Sequence, residues 1–514
     1  MMQRLVRQHW LDRQPVAWLR DTRRMRRLVR DLQPAAPTRP DAGSIGVIVT
    51  PWCGSAVPWF SLVTGLLLAT SGNRVTFILD DLPFGEGGRS WRLQLACIRS
   101  VLKALRGRHD IIELSADARS TELSEPTRDS IDRLAQLNVV WAQRGELNMQ
   151  ASDVEQVRQQ LSISHAVIGR ALNANRFDAL FVPGGVWGTS GLWLEHARAA
   201  GIRVATYDSG GYGMLLLAVN GIACQLQDIP RAFSLLKTSA DAASDQSFIV
   251  ESAHAEMDKR RAGVDKFASQ VQGTHPADAR FAGAVLLALN SPWDSAALGL
   301  HEVYDSTHAW IVGTVQFLLE NTTAPVIVRQ HPVERLEIAR SSDDYRSLLA
   351  RHFGDHPRLH FVAAQDPVNS YDLLEQVKAV VVYTSTIGIE AAAHGKPVVT
   401  ESRSYYSDLG FVLKASDLEE YHRALLDAAN GRWPVTQAMQ QDALTCYYLT
   451  QCCNWVFTPF NVPDFPKWSA LDLQELAGEG SVRMIVRALQ DNVPVALLNH
   501  EAKLEQHRAT AKDR

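Results

Sequence analysis

Two short segments hold the residue types from which a phosphate site can be built. The first, Val326–Pro332 (VIVRQHP), is an apolar run ending in Arg329, Gln330, His331 and Pro332. The second, Val380–Val399 (VVVYTSTIGIEAAAHGKPVV), reads as a buried strand over 379–383, then Thr384, Ser385 and Thr386, a helix start, and another strand after Gly395-Lys396-Pro397. A parallel α/β sheet collects ligands outside the carboxyl ends of its strands. A hydroxyl-rich turn entering a helix offers O–H groups, N–H groups and a positive dipole end. An imidazole at a strand end can hydrogen-bond a phosphate and ease its departure as a leaving group. Pro332 confines His331 to extended backbone. Arg329 adds fixed positive charge, and Glu390, one helical turn further in, can accept from ribose hydroxyls. Each group also has a plainer role: a strand-end histidine, a surface ion-pair arginine, helix-capping hydroxyls and a solvated glutamate.

A third segment, TYDSGG, ends an apolar strand at Asp208 and carries Gly210. A carboxylate there can take a proton from an acceptor hydroxyl, and the glycines allow close approach of a substrate to the backbone. The plainer role for Asp208 is an Asx turn. Gly184, Gly185, Trp187 and Gly188 follow another apolar strand, suited to close approach or to stacking of a sugar on Trp187. Asp80-Asp81 at a strand end is weak evidence for a metal, and no metal or cofactor is expected. Trp293-Asp294-Ser295 is a further cleft-loop candidate.

The elements that would position these groups come in two βα arrays. Expected strands are 45–50, 75–79, 179–183 and 203–207, then 284–289, 326–328, 359–362, 379–383 and 398–399. Helices are expected between them, including one over 334–353, and a polar helical connector near 239–280. The resulting division is a basic helical segment 1–40, a Rossmann-like acceptor domain 41–265, a Rossmann-like donor domain 266–430 and a helical segment 431–514. The fold class is α/β, two Rossmann-like domains facing across a cleft.

Composition narrows the function. The chain has 514 residues, 46% hydrophobic and 21% charged, with a net charge of −4, which argues against a nucleic-acid partner. The six cysteines are scattered without CxxC spacing and read as reduced structural thiols. No apolar run reaches the roughly 18 residues of a membrane span, and no signal-peptide core is visible, so a cytoplasmic protein is expected. The first forty residues hold ten Arg against three Asp, interleaved with Trp10, Trp18, Leu28 and Val29. Such a helix can lie on the inner face of the membrane as a peripheral anchor, or pack its apolar side on the protein itself.

The run LLALNSPWDSAALGL from Leu286, then VRQHP, VYTSTIGIEAAAHGKPVV and SRSYYSDLGF, resembles bacterial capsule polysaccharide biosynthesis proteins, over roughly 178–429. His331-Pro332 and Ser385-Thr386 are also similar to motifs of bacterial sialyltransferases and Kdo (3-deoxy-manno-octulosonic acid) transferases, and the His-Pro pair to CDP-glycerol phosphotransferases. The resemblance implies a metal-independent GT-B glycosyltransferase. Arg329, His331, Pro332, Thr384, Ser385, Thr386 and Glu390 would hold a nucleotide-sugar donor, such as a CMP-activated ulosonic acid. His331 and Asp208 would be catalytic. Gly184, Gly185, Trp187 and Gly210 would line the site of a glycan or lipid-linked glycan acceptor. Asp208 matches the acidic D/E-x-G motif of those families only in part. A CDP-polyol phosphotransferase, an NDP-hexose transferase and a non-catalytic capsule assembly or export partner are the alternatives.

Overall fold

The computed structural model describes residues 15–30, 43–52, 55–82, 89–114, 125–210, 213–264, 266 and 278–512. Among them the strands are β1 (Ser44–Val49), β2 (Arg74–Leu79), β3 (Asp110–Glu113), β4 (Ala179–Pro183), β5 (Arg203–Ser209), β6 (Met214–Ala218), β7 (Val285–Ala288), β8 (Val326–Arg329), β9 (Leu359–Val362), β10 (Ala379–Val382), β11 (Val398–Thr400), β12 (Leu413–Lys414) and β13 (Trp455–Phe457). They form two sheets, each within its own compact unit.

The first unit comprises 1–142, 150–228 and 454–501. Its sheet runs β13-β6-β5-β4-β1-β2-β3. β1 to β5 are mutually parallel where they pair, whereas β6 and β13 are antiparallel. β4 (ALFVP) is buried along its whole length, as a central strand covered on both faces must be. The helix Val57–Thr70 is apolar nearly all round and correspondingly buried.

The helix Pro15–Arg30 settles one expectation for its own residues. Trp18, Met25, Leu28 and Val29 are buried in the same core as Trp59, Phe77 and Leu102. Arg27 donates to the Ala470 carbonyl and Arg108 to that of Val29. Those four residues therefore face the protein itself and are not presented to a bilayer, whereas Leu19 on the same helix is exposed. Trp10 and the rest of 1–14 lie outside the described residues. No described helix is long and apolar enough to cross a membrane.

The second unit comprises 143–149, 229–453 and 502–514. Its sheet, β12-β11-β10-β7-β8-β9, is parallel throughout. Counted from β7, this is the doubly wound order 3-2-1-4-5-6, with its switch point between β7 and β10. Val285, Val326, Ala379 and Val381 are fully buried.

The units depart from the expected division. Residues 229–264, read as the end of the first domain and its connector, cluster with the second. Residues 454–501 return to the first unit and add β13 at its antiparallel edge, so 431–514 is not a separate helical segment. The expected helix 334–353 is broken as well: two 3-10 turns precede a helix that starts only at Tyr345, where the Asp344 carboxylate accepts from Ser347 N–H at 3.0 Å.

Candidate functional site

The three strand ends that matter in the second sheet are those of β8, β7 and β10, in that spatial order. His331 follows β8 with φ −60° and ψ 127°, extended as Pro332 requires, and a 3-10 turn starts at Pro332. Its Nδ1 accepts from the Val333 N–H at 3.2 Å. A neutral ring that accepts at Nδ1 carries its proton on Nε2. Burial, reinforced by the positive charges of Arg260 and Arg329, holds the His331 pKa down to about 4. His331 is thus a neutral imidazole offering an Nε2–H.

Arg329 does not offer its fork to a ligand. It is 2% exposed, and its two terminal nitrogens donate to the carbonyls of Ala363 and of Val368, the latter at 3.0 Å. These bonds fix the loop after β9, where Asp366 in turn accepts from Ala363 N–H at 2.7 Å. Burial lowers the Arg329 pKa to about 10, so it stays a cation beneath His331. Those two bonds spend its terminal nitrogens on the loop after β9. Gln330 joins the same scaffold, donating to Glu334 at 2.9 Å and accepting from Ala364 N–H at 3.1 Å.

At the end of β10, Thr384 is buried and its N–H donates to Asn290 Oδ1, just past β7, at 3.2 Å. Ser385 and Thr386 are half-buried. The Ser385 carbonyl accepts from Tyr406 O–H at 2.8 Å. Thr386 occupies the N-cap position of the helix Ile387–Ala393 but makes no side-chain capping bond; its side chain hydrogen-bonds Tyr405 instead. β7 separates β8 from β10, which puts the two strand ends about 10 Å apart at two interstrand spacings. One phosphate cannot fill that gap, whereas an extended nucleotide can span it.

Glu390 is buried, 4% exposed, and accepts from Tyr371 O–H at 3.3 Å. A carboxylate so placed is not the solvated helix position that was its plainer role. It begins a polar chain instead. Tyr371 is hydrogen-bonded by Arg260 and feels the charges of both Arg260 and Glu390. Arg260 reaches His331 electrostatically at the other end, and Tyr447 sits within the same field. Sequence reading missed Arg260. It is one of three consecutive basic residues closing the helix Ala242–Arg261, a pattern that reads as a solvated helix end. Only the packing of that helix beside the helix Ser370–Gln376 reveals it. Arg261 fixes the docking by pairing with Glu375 and Asp372 of the helix Ser370–Gln376.

The first βα turn of this sheet, the usual phosphate cradle of a doubly wound fold, is already occupied by the protein. Glu146 accepts from Thr307 N–H at 3.3 Å, Thr307 O–H at 2.9 Å and His308 N–H at 3.4 Å, at the start of the helix Thr307–Asn321. Its carboxylate stands where an anion would otherwise sit. Trp293, in the candidate loop beyond β7, donates to Ala339 O at 3.2 Å and lies under the Arg144 guanidinium at 4.9 Å.

In the first unit, Asp208 is half-buried near the end of β5 and accepts from the adjacent Ser209 N–H at 2.7 Å. Gly184 and Gly185, at the end of β4, take φ of +73° and +111°, which a side chain would resist. Gly184 N–H donates to the Tyr207 carbonyl at 3.0 Å, tying this turn to the strand that carries Asp208. Gly210 N–H bonds the Met214 carbonyl at 3.1 Å within the β5–β6 hairpin. Trp187 contacts the rings of Trp52 at 5.0 Å and Trp141 at 4.9 Å. Asp80 and Asp81 are spent on structure. Asp80 accepts from Thr189 O–H at 2.5 Å and Trp193 Nε1–H at 2.9 Å, and burial raises its pKa; Asp81 pairs with Arg99. The described residues contain no group of three or more His, Cys, Asp or Glu placed to hold a metal.

Of the expected site residues, the second unit thus carries Arg329, His331, Pro332, Thr384, Ser385, Thr386 and Glu390, and the first carries Asp208, Gly184, Gly185, Trp187 and Gly210.

Residues 256–445 match the family model described as "Capsule polysaccharide biosynthesis protein". That span takes in Arg260, His331, Thr384 to Thr386 and Glu390. Among solved structures, the chain is similar to Thermosulfurimonas dismutans KpsC, beta Kdo 2,4 transferase, at 15% identity over 52% of this chain and 79% of that one, TM-score 0.33. It is similar to the beta Kdo 2,7 transferase of the same protein at 16% identity, over 66% and 90%, TM-score 0.33. The UDP-GlcNAc 2-epimerase of Methanocaldococcus jannaschii matches at 12% identity, over 78% and 97%, TM-score 0.24. Likenesses this distant do not carry substrates or residue roles to this chain. No curated protein sequence matches it.

Proposed function

From a chain whose residues 256–445 carry the sequence pattern of the capsule polysaccharide biosynthesis family, we propose a glycosyltransferase that moves a sugar from a nucleotide donor to a growing surface glycan. The observation that carries this reading is the strand-end arrangement of the second sheet. A neutral Nε2–H at His331 with the Arg260 cation beside it at the end of β8, and the Ser385 and Thr386 hydroxyls after β10, supply it. A nucleotide laid along this edge places its phosphate toward His331 and Arg260. When the sugar–phosphate bond breaks, the negative charge that develops on the phosphate meets a hydrogen-bond donor and a fixed cation already in place. Asp208 in the first unit is the proposed base, taking the proton of the acceptor hydroxyl. A resident metal is not part of this proposal, because the cationic side chains supply the charge a metal would.

A CMP-activated ulosonic acid is the proposed donor, on the similarity of the His-Pro and Ser-Thr pairs to those of Kdo transferases. CDP-polyol and NDP-hexose donors would use the same groups. A thermal-shift screen of the full chain against CMP, CDP, UDP and GDP, with and without EDTA, tests the proposal. A ligand at 100 times its Kd should stabilise the fold by about 2.7 kcal/mol. A cytidine response unchanged by EDTA supports it. Silence toward all four nucleotides contradicts it and favours an assembly partner, and a shift abolished by EDTA contradicts metal independence.

A further inference from the structure

The first sheet has its own switch point, between β1 and β4, where its strand order reverses. Ligands of doubly wound sheets bind outside the carboxyl ends of the strands at such a point. Three tryptophans converge there from three separate segments: Trp52 just after β1, Trp187 in the turn after β4, and Trp141 in the helix Glu125–Gln143. Trp187 lies between the other two, at ring distances of 5.0 and 4.9 Å and interplanar angles of 57° and 44°. All three are half-buried and none belongs to the hydrophobic core, unlike Trp18, Trp59, Trp193 and Trp468. The cluster is held by polar bonds. Asn138, one turn before Trp141, accepts from Gly188 N–H at 2.8 Å, and the Trp52 carbonyl accepts from Gln94 at 3.2 Å. Gly184, whose φ of +73° a side chain would resist, lies against the Trp52 ring, a Cβ there standing 3.9 Å from it. The neighbouring strand end, tied to this turn through Tyr207, carries Asp208.

We infer that Trp52, Trp141 and Trp187 form a carbohydrate platform, a subsite that stacks the pyranose rings of a glycan beside Asp208. The indole face carries the negative end of the ring quadrupole, and one face of a pyranose presents C–H groups of opposite polarity. Tilted rather than coplanar indoles suit a chain of successive sugar rings more than one flat base. The inference deepens the reading of this protein as a glycosyltransferase, since it assigns the acceptor end of the site to named residues.

The test is saturation-transfer NMR on the full chain with a panel of methyl pyranosides and linear pentasaccharides, alongside Trp52→Ala, Trp141→Ala and the conservative Trp52→Phe. Melting shifts with CMP and CDP check the nucleotide site, and circular dichroism checks the fold. Transfer to the C–H protons of one sugar face, reduced at least fivefold in both alanine variants and retained in Trp52→Phe, is the expected result. Absence of transfer from every saccharide overturns the inference, as does equal transfer in folded alanine variants. Stacking of a cytidine base that is lost with Trp52 and Trp141 also overturns it. Saccharide transfer without any nucleotide shift leaves the platform standing and removes the transferase reading. A nucleotide shift without saccharide transfer does the reverse.

Discussion

His331 allows a sharp prediction, because its protonation state, its hydrogen bond and its charged neighbours are all defined. With a pKa near 4 and Nδ1 committed to Val333 N–H, it meets a phosphate as a neutral Nε2–H donor. The informative pair of variants is His331→Gln, whose amide N–H can stand in for Nε2–H without titrating, and His331→Ala, which removes the donor. A hydrogen bond to a charged group contributes about 1.5–3 kcal/mol, so His331→Ala should weaken nucleotide binding roughly 10- to 150-fold, at 1.36 kcal/mol per tenfold. His331→Gln should stay within about threefold of wild type. Both variants lose the bond from Val333, so the comparison isolates the Nε2 position. Isothermal titration with CMP and CDP from pH 6 to 8 reads both quantities. The difference between wild type and His331→Gln cancels the titration of the ligand, and it should be flat over that range. A difference growing by about tenfold per pH unit toward acid would show an imidazolium at work and refute the neutral-donor argument. So would wild-type affinity in His331→Ala. Stability supplies a second reading. The folded His331 pKa lies below the ordinary 6.5, so the unfolded chain binds the extra proton. Stability is therefore complete above about pH 6.5 and falls as the pH drops toward 4, by up to about 3 kcal/mol from this group. His196, also held down to about 4 by burial, adds a loss of the same sign. The slope in this window should be shallower in His331→Gln.

Arg260→Gln, checked by circular dichroism to be folded, should weaken nucleotide binding at least tenfold; undiminished affinity by titration would remove Arg260 from the site. Arg329→Met strands the carbonyls of Ala363 and Val368, so it should cost about 3 kcal/mol in chemical denaturation, with binding lost only as the fold is lost. Asp208→Asn should reduce turnover about 10²- to 10⁴-fold with nucleotide affinity intact, and full turnover in that variant would exclude Asp208 as the base.

The parallel cores were legible because β4, β7, β8 and β10 are short, continuously apolar runs, the signature of strands covered on both faces. β13 escaped because its antiparallel partner, β6, lies in a distant part of the chain, which no local period records. His331 and Thr386 could be found because strand-end chemistry is written locally, as a dipeptide or a hydroxyl run after an apolar strand. Their partners could not. Arg260 looks like any basic helix end, and its neighbourhood exists only once its helix docks by Arg261 onto Glu375 and Asp372. The burial of Arg329 and Glu390 was not legible for a related reason: residue type shows a charge, but not whether packing turns it inward. Trp52 and Trp141 lie far from Trp187 in the chain, and nothing local to either links them to it.

The central claim is that a nucleotide spans the carboxyl ends of β8 and β10, with its phosphate at the β8 end beside His331. A crystal structure of the full chain with bound CMP tests it most directly. The account predicts a phosphate oxygen at hydrogen-bond distance, about 2.7–3.2 Å, from His331 Nε2, with Arg260 turned toward it and the nucleoside reaching Ser385 and Thr386. A nucleotide bound elsewhere, or phosphate density facing away from His331, would contradict it.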